Sequence, residues 1–107
     1  MNIDEILQGA MVDVVNLATD SFGDLASDTE QDIIDFTNES REKLDLWTQA
    51  AAAGFMDDEE FAFLLGARMT NAKMRALTRA GIVQTRIEHF RKGVIDIIVK
   101  AVFSAIA

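Results

Sequence analysis

Residues 51–61 read AAAGFMDDEEF, and this stretch decides how the chain folds because it holds a helix stop and a helix start. Gly54 ends an apolar periodic run, at a place where helices commonly close in a left-handed residue that glycine adopts without strain. Asp57 precedes Glu60 by three positions, which is the spacing of a capping box at a helix N-terminus. The stretch therefore predicts a turn, centred on Phe55, between two helices.

The rest of the chain favours a single all-α domain spanning residues 1–107. It has no proline, and half of its residues are hydrophobic, with abundant strong helix formers. Two further capping boxes are indicated, by Asn2 with Glu5 and by Ser27 with Glu30, and Gly23 supplies another stop. From these signals we expect helices near 3–22, over 28–53, and from 58 onward.

Gly81 leaves the form of the last helix open. No capping residue follows this glycine, and glycine inside a helix costs only about 1 kcal/mol relative to alanine, so a continuous helix to about residue 105 is favoured. A break that creates a separate C-terminal helix is the alternative. The expected fold is an all-α antiparallel helical hairpin or four-helix bundle, with its long C-terminal helix either kinked near Gly81 or broken there.

A chain that folds back at Gly54 brings residue i near roughly residue 110 − i in an antiparallel hairpin. In this register a line of acids on one helix faces a line of arginines on the other, much as edge charges flank a coiled coil. Such charges would set the register, since exposed ion pairs contribute only about 0–1 kcal/mol each. The predicted pairs are Glu42 with Arg68, Asp35 with Arg75, and Asp32 with Arg79.

Both terminal segments are more apolar than one hairpin seam requires. A helix that is apolar nearly all round belongs in a core or against another apolar body, so either a compact bundle or a partner chain must cover these faces. We expect the first and last helices to form the apolar interface. The candidate packing residues are Ile3, Leu7, Val14, Leu17, Trp47, Phe61, Phe63, Leu65, Ile87, Phe90, Ile98 and Phe103.

The residues needed for chemistry are scarce. The chain has no cysteine and no tyrosine, and it lacks a glycine-rich phosphate loop and a serine elbow. Its one histidine, His89, follows Arg86 rather than a glutamate at the spacing that di-iron bundles use. The acids at 57–60 are explained by the helix dipole. We expect no enzymatic activity, no catalytic residue, no metal and no cofactor.

Charge is unevenly distributed along the chain. The net charge is −8, but residues 1–60 carry 16 acids and two bases, whereas residues 61–107 carry eight bases and two acids. Nucleic-acid binding is not expected, because it needs uncompensated positive charge and the acidic line can neutralise the arginines. If the arginines lie elsewhere, the acidic line could instead occupy the basic groove of a partner as an inhibitor.

Residues 93–107 raise the question of a membrane. They form an apolar helix preceded by Arg91 and Lys92, as in segments that lie in a bilayer interface, although the run is too short to span one. The N-terminus lacks the pattern of a signal peptide, so we expect a cytoplasmic location or a place in an assembled particle. A membrane-associated helical protein is therefore the second functional interpretation, and the acidic inhibitor is the third.

The leading hypothesis is a non-enzymatic structural or adaptor protein. It would self-associate as a homo-oligomer, or dock onto a helical partner, through the apolar faces of its helices.

Overall fold

The computed structural model describes residues 2–107, and every regular element in that range is helical, which confirms the all-α class. The body measures 42 × 22 × 20 Å. A 3₁₀ turn, Gly23–Leu25, joins the first two helices. The α-helices are α1 (Ile3–Phe22), α2 (Ala26–Glu39), α3 (Arg41–Ala52), α4 (Asp58–Met69), α5 (Arg75–Arg79) and α6 (Gln84–Ile106).

The turn between α3 and α4 is the one that the sequence predicts. Gly54 has a φ of +83°, and Gly23, the stop after α1, has a φ of +54°. Asp57 accepts a hydrogen bond from the Glu60 N–H at 2.8 Å, and the Glu60 carboxylate accepts one from the Asp57 N–H at 3.4 Å. This reciprocal pair satisfies two donors that would otherwise be unpaired at the start of α4.

The other two predicted caps differ. Asn2 does cap α1, but its side chain accepts from the N–H of Asp4 at 2.9 Å rather than from that of Glu5. The capping box of Ser27 with Glu30 is wrong, because α2 already begins at Ala26. The 3₁₀ turn after Gly23 leads directly into α2, so Ser27 lies inside the helix.

The continuous helix predicted over 28–53 is wrong. Ser40, with φ −100° and ψ 2°, separates α2 from α3. This residue is only 1% exposed, and its Oγ accepts a hydrogen bond from Arg68 Nε at 3.0 Å. A buried serine that binds another helix at this point accounts for the bend between two otherwise regular helices.

The favoured helix from 58 to about 105 is also wrong, and the alternative break at Gly81 is what the structure has. Gly81 has a φ of +77°, which no residue inside an α-helix adopts. A second break lies at residues 70–74, where Thr70 and Asn71 are weak helix formers. The Thr70 hydroxyl donates a hydrogen bond to the Gly66 carbonyl at 3.0 Å. This side-chain hydrogen bond competes with the backbone hydrogen bonds that would continue α4.

The helices pack antiparallel, as expected, with α6 at the centre. On one side α6 meets α1, where the rings of Phe22 and Phe90 lie edge to face at 5.3 Å between centroids. On the other side it meets α4, where Phe61 and Phe103 lie at 5.8 Å. The apolar faces of α1 and α6 are thus largely covered within one chain.

Most candidate packing residues lie in this core, which explains how the apolar terminal helices are accommodated. The partly buried ones are Leu17, Trp47 and Phe103. The fully buried ones are Ile3, Leu7, Val14, Phe61, Leu65, Ile87, Phe90 and Ile98.

Phe63 requires a correction, because its side chain is 76% exposed and packs against no core. Helix α4 buries Phe61, Leu65 and Met69, which are four residues apart and share one face. Phe63 stands about 200° around the helix from Phe61, so it points away from the bundle.

Candidate functional site

The predicted charge pairs are not ion pairs in the structure. Among residues 2–107 the ion pairs are Arg41 with Asp4 and Arg91 with Glu88. Three of the predicted residues make other hydrogen bonds: Arg68 donates to Ser40, Asp32 accepts from the backbone N–H of Ala76 at 3.0 Å, and Asp35 accepts from Gln31 Nε2 at 3.0 Å. Asp35 is exposed, as are the remaining three residues, Glu42, Arg75 and Arg79.

A shift in register explains this correction. The observed pairs Trp47 with Phe61, Ser40 with Arg68, and Asp32 with Ala76 each lie two residues from the predicted mirror. Two residues turn a helical position by about 200°, so a side chain predicted to face the partner helix lies on another side of its own helix. The overall antiparallel arrangement survives such a shift, but the charge pairing does not.

The ion pair of Asp4 with Arg41 joins the start of α1 to the start of α3. Arg41 donates from Nε and Nη2 to the two carboxylate oxygens at 2.8 and 2.9 Å, the forked geometry that suits a guanidinium. Hydrogen bonding from Arg41 lowers the pKa of Asp4 and raises the pKa of Arg41. Both side chains are about half exposed, so solvent screens the interaction.

A groove of about 600 Å³ runs along the seam of α1 and α6, and we call it the α1–α6 groove. Two isoleucines and several small residues form its apolar surface, and charged residues stand on both walls. Helix α1 contributes Glu5, Ile6, Gly9, Ala10 and Asp13, and α6 contributes Ile97, Lys100, Ala101, Ser104 and Ala105.

The two walls of this groove carry opposite charge. Glu5 and Asp13 on α1 are acidic, whereas Lys100 on α6 is basic, and all three are exposed. None of them takes part in an ion pair within the described residues. Small residues between the walls allow another helix to approach closely, as in ridge-into-groove packing. The groove can therefore receive a helical surface whose charges are arranged in the complementary order.

A second concavity, of about 470 Å³, lies beside α5, and we call it the α5 depression. Within the part of the chain that the structure describes, no acidic residue lines it. The segment before α5 and α5 itself supply most of the lining, and α6 supplies one arginine. The lining residues are Ala72, Lys73, Met74, Arg75, Thr78, Arg79 and Arg91.

A smaller cleft of about 190 Å³ adjoins the α5 depression on the α2 side. Asp35 and Arg75, a predicted charge pair, both line it, although they make no ion pair. Asp32 and Glu39 add negative charge to the α2 wall, and Lys73 adds positive charge to the opposite wall. This mixed cleft separates the acidic face of α2 from the basic depression.

Large apolar side chains are also exposed at scattered positions. The most exposed are Phe55, at 83%, in the turn before α4, and Phe63 on α4. Leu46, Val12 and Val83 lie on α3, on α1 and before α6, respectively. Isolated exposed apolar residues are ordinary on protein surfaces, so we do not assign a site to them.

Neither a membrane-spanning helix nor a cluster of metal ligands is present in the part of the chain that the structure describes. Among residues 2–107, no helix is both long and apolar enough to cross a membrane. Within the same residues, no three His, Asp or Glu side chains are grouped closely enough to hold a metal ion. His89 is exposed on α6.

Of the cations in the α5 depression, sequence reasoning identified Arg75 and Arg79 only as pairing residues and Arg91 only as a base before the apolar C-terminal segment, and it did not single out Lys73. The breaks on either side of α5 bring these residues to one concave surface. The favoured prediction of a continuous helix did not include those breaks. Thr70, Asn71 and Gly81 were the available signals.

Comparison with known proteins gives no match: no protein-family model fits the chain, and no curated protein or solved structure is significantly similar to it.

Proposed function

We propose that the protein is a non-enzymatic structural protein that self-associates through the α1–α6 groove. The observation that carries the proposal is the arrangement of opposite charges on the two walls, with small residues between them. The occupant of the groove is a second copy of the same chain.

Two-fold symmetry makes this surface self-complementary. Two copies related by a two-fold axis present the same surface to each other, so α1 of one copy can lie over α6 of the other. In that orientation, Lys100 of each copy comes opposite Glu5 and Asp13 of the second copy. The three charges form no ion pair within residues 2–107 of one copy, so the contact would give partners to charged groups that are exposed to solvent in the monomer.

The apolar part of the groove supports close contact. Gly9 has no side chain, and the side chains of Ala101 and Ala105 end at Cβ, so a second helix can approach closely. Ile6 and Ile97 are only partly buried in the monomer, so a second copy would remove further apolar surface from water. The resulting interface would be a bundle of four helices, two from each copy.

Solution mass tests the proposal. We expect a dimer by multi-angle light scattering, and we expect Lys100→Glu to convert it to a monomer by placing like charges together. Glu5→Lys combined with Lys100→Glu should recover part of the dimer, because it exchanges the charges across the interface. Lys92→Glu is the matched control, since Lys92 is exposed on the same helix and does not line the groove.

Three outcomes would reject self-association through this groove. One is a wild-type protein that remains monomeric at every concentration. Another is equal dissociation by Lys92→Glu and Lys100→Glu. The third is a monomer that floats with liposomes, which would favour the membrane-associated alternative.

A second function, the acidic inhibitor, is supported by the unpaired acids of α2. The surface formed by Asp28, Asp35 and Glu39 is exposed and has no ion pair within residues 2–107, although Lys73 and Arg75 lie across the mixed cleft from Asp35 and Glu39. A basic partner would be steered to it by long-range attraction. Titration with poly-lysine tests this function: binding should weaken in Asp28→Asn with Glu39→Gln, and unchanged binding would reject it.

A further inference from the structure

We propose that the α5 depression is a binding site for a compact phosphate-bearing group, such as a phosphomonoester or a diphosphate. The inference is independent of the α1–α6 groove, because the two concavities share no lining residue. Four cationic side chains and no acid line the depression, in a chain whose net charge is −8. Three of these cations, Lys73, Arg75 and Arg79, are close together in the sequence, and the fold adds Arg91 from α6.

Arg91 is held in place on one wall of the depression. Its Nη1 donates to Glu88 Oε1 at 2.6 Å, and its Nη2 donates to the Ala72 carbonyl at 2.7 Å. The side chain is only 14% exposed, and its Nε is buried without a hydrogen-bond partner. A guanidinium fixed in this way contributes positive charge without the entropic cost of ordering a free arginine.

The other three cations, Lys73, Arg75 and Arg79, are exposed. None forms an ion pair within the described residues, and none of their side chains makes a hydrogen bond there. Since Arg91 is already paired with Glu88, a ligand would be held chiefly by the other three cations, of which Lys73 and Arg75 also line the neighbouring cleft with its acidic wall. That number suits a group with two or more negative charges better than a single carboxylate.

The segment that carries these cations is anchored to the bundle. Asp32 on α2 accepts a hydrogen bond from the N–H of Ala76, and Leu77 is completely buried. Met74, just before α5, is 3% exposed. Because its backbone is fixed at both places, α5 presents Arg75 and Arg79 from a defined position.

Phosphate is the anion that matches these donors. An arginine presents two parallel N–H groups to two oxygens of one phosphate, and lysine adds a point charge. The acidic wall of the neighbouring cleft, with Asp35 and Glu39, lies just beyond Lys73 and Arg75. An extended polyanion such as a nucleic-acid backbone would meet that wall, so the surroundings favour a compact phosphate group.

Isothermal titration calorimetry of the full chain with sodium pyrophosphate tests the proposal. We expect saturable binding to one site with a Kd of about 1 mM or tighter at low salt, and weaker binding as salt is added. Arg79→Gln and Lys73→Gln should each weaken binding by about tenfold, the effect of losing one charge-assisted hydrogen bond.

Lys43→Gln is the matched control. Lys43 is exposed on α3, so its substitution removes the same charge at a place outside the depression. It should change the Kd by less than about twofold, as a distant screened charge does. Equal weakening by Lys43→Gln and Lys73→Gln would show general charge attraction and overturn the site. Failure of pyrophosphate to bind the wild type saturably would overturn it as well.

Vesicle flotation distinguishes the two sources of such a group. Flotation with phosphatidylcholine vesicles containing phosphatidic acid, lost in Arg79→Gln, would assign the site to a lipid headgroup. Absence of flotation together with pyrophosphate binding would assign it to a free phosphate-bearing ligand. Both results support phosphate chemistry in the α5 depression.

Discussion

Leu17 on α1 occupies the space that a side chain at Gly93 on α6 would need. A Cβ built on Gly93 would lie 2.6 Å from Leu17 Cδ2, closer than real Cβ atoms come to other heavy atoms. The glycine therefore permits the close approach of α1 and α6 on which the core depends. Because the clashing atom is the end of a flexible side chain, the contact can be tested by substitution without assuming that the chain unfolds.

The free energy of unfolding of Gly93→Ala should be lower than that of Gly9→Ala by at least about 1 kcal/mol. Both glycines lie inside helices, where alanine gains helix propensity, but a Cβ at Gly9 meets nothing within 4 Å. Urea unfolding of the two variants measures the difference. In a Leu17→Ala background the difference should disappear, and its persistence there would contradict the assigned contact.

Thr48→Val should stabilise the protein, whereas Thr37→Val should destabilise it, each by about 1 kcal/mol. Both threonines are buried, and the substitution replaces a hydroxyl by a methyl of similar size. The Thr48 hydroxyl has no hydrogen-bond partner, whereas the Thr37 hydroxyl donates to the Ile34 carbonyl at 2.9 Å. Thermal and urea unfolding measure the two changes, and an equal effect of both would mean that the hydroxyl of Thr48 is satisfied.

Local signals in the sequence were sufficient for the turn at Gly54 and the cap at Asp57. A capping box and a left-handed glycine involve only neighbouring residues, so their residue types determine them directly. At the bend, Ser40 accepts a hydrogen bond from Arg68, which is distant in sequence. Tertiary contacts of this kind override a helical pattern, and a pattern cannot reveal them.

The candidate sites were harder to predict from the sequence than the fold was, for a related reason. Trp47 packs on Phe61, two residues from the position that the predicted register gives, and the contacts of Ser40 with Arg68 and of Asp32 with Ala76 show the same shift. Lys73 and Arg79 were visible as cations, but their convergence with Arg91 depends on the loops around α5. Hydrophobic pattern sets which faces are buried, whereas packing detail sets the register.

Asp32→Ala should lower the free energy of unfolding by about 1–2 kcal/mol, because it leaves the N–H of Ala76 without its carboxylate acceptor. Asp35→Ala, three residues along the same helix and exposed, should change it by less than about 0.5 kcal/mol. Urea unfolding measures both. If the α5 depression binds pyrophosphate, Asp32→Ala should also weaken that binding, since it releases the segment that carries the cations. Equal stability of the two variants would show that Asp32 does not anchor α5.

The Asp4 and Arg41 pair should make stability depend on pH at the acidic end. The pKa of Asp4 is lowered by its hydrogen bonds from Arg41, so the folded state binds the proton less tightly than the unfolded state does. The stabilisation is present above the unfolded pKa of about 3.9 and is lost as the pH falls through the lower pKa of the folded state. Asp4→Asn should therefore be less stable than the wild type near neutral pH, and the two should converge in strong acid.

Arg41→Gln provides the control for that pH dependence. In this background Asp4 has lost the partner that lowers its pKa, so Asp4→Asn should change the acid dependence of stability much less. Added salt should reduce the difference between wild type and Asp4→Asn, because both side chains are about half exposed. An undiminished pH effect in Arg41→Gln would assign it to other carboxylates.

Gly9→Gln should separate folding from self-association. Gly9 is exposed inside α1, and a Cβ there meets nothing, so glutamine should raise the free energy of unfolding of the monomer by about 0.5–1 kcal/mol through helix propensity. The same side chain fills part of the α1–α6 groove, where it would hinder a second copy. We therefore expect a more stable chain that dimerises less, measured by urea unfolding at low concentration and by light scattering across a dilution series. Gln8 flanks Gly9 outside the groove, so Gln8→Ala should leave the dimer unchanged. A Gly9→Gln protein that dimerises as the wild type does would exclude this groove as the interface.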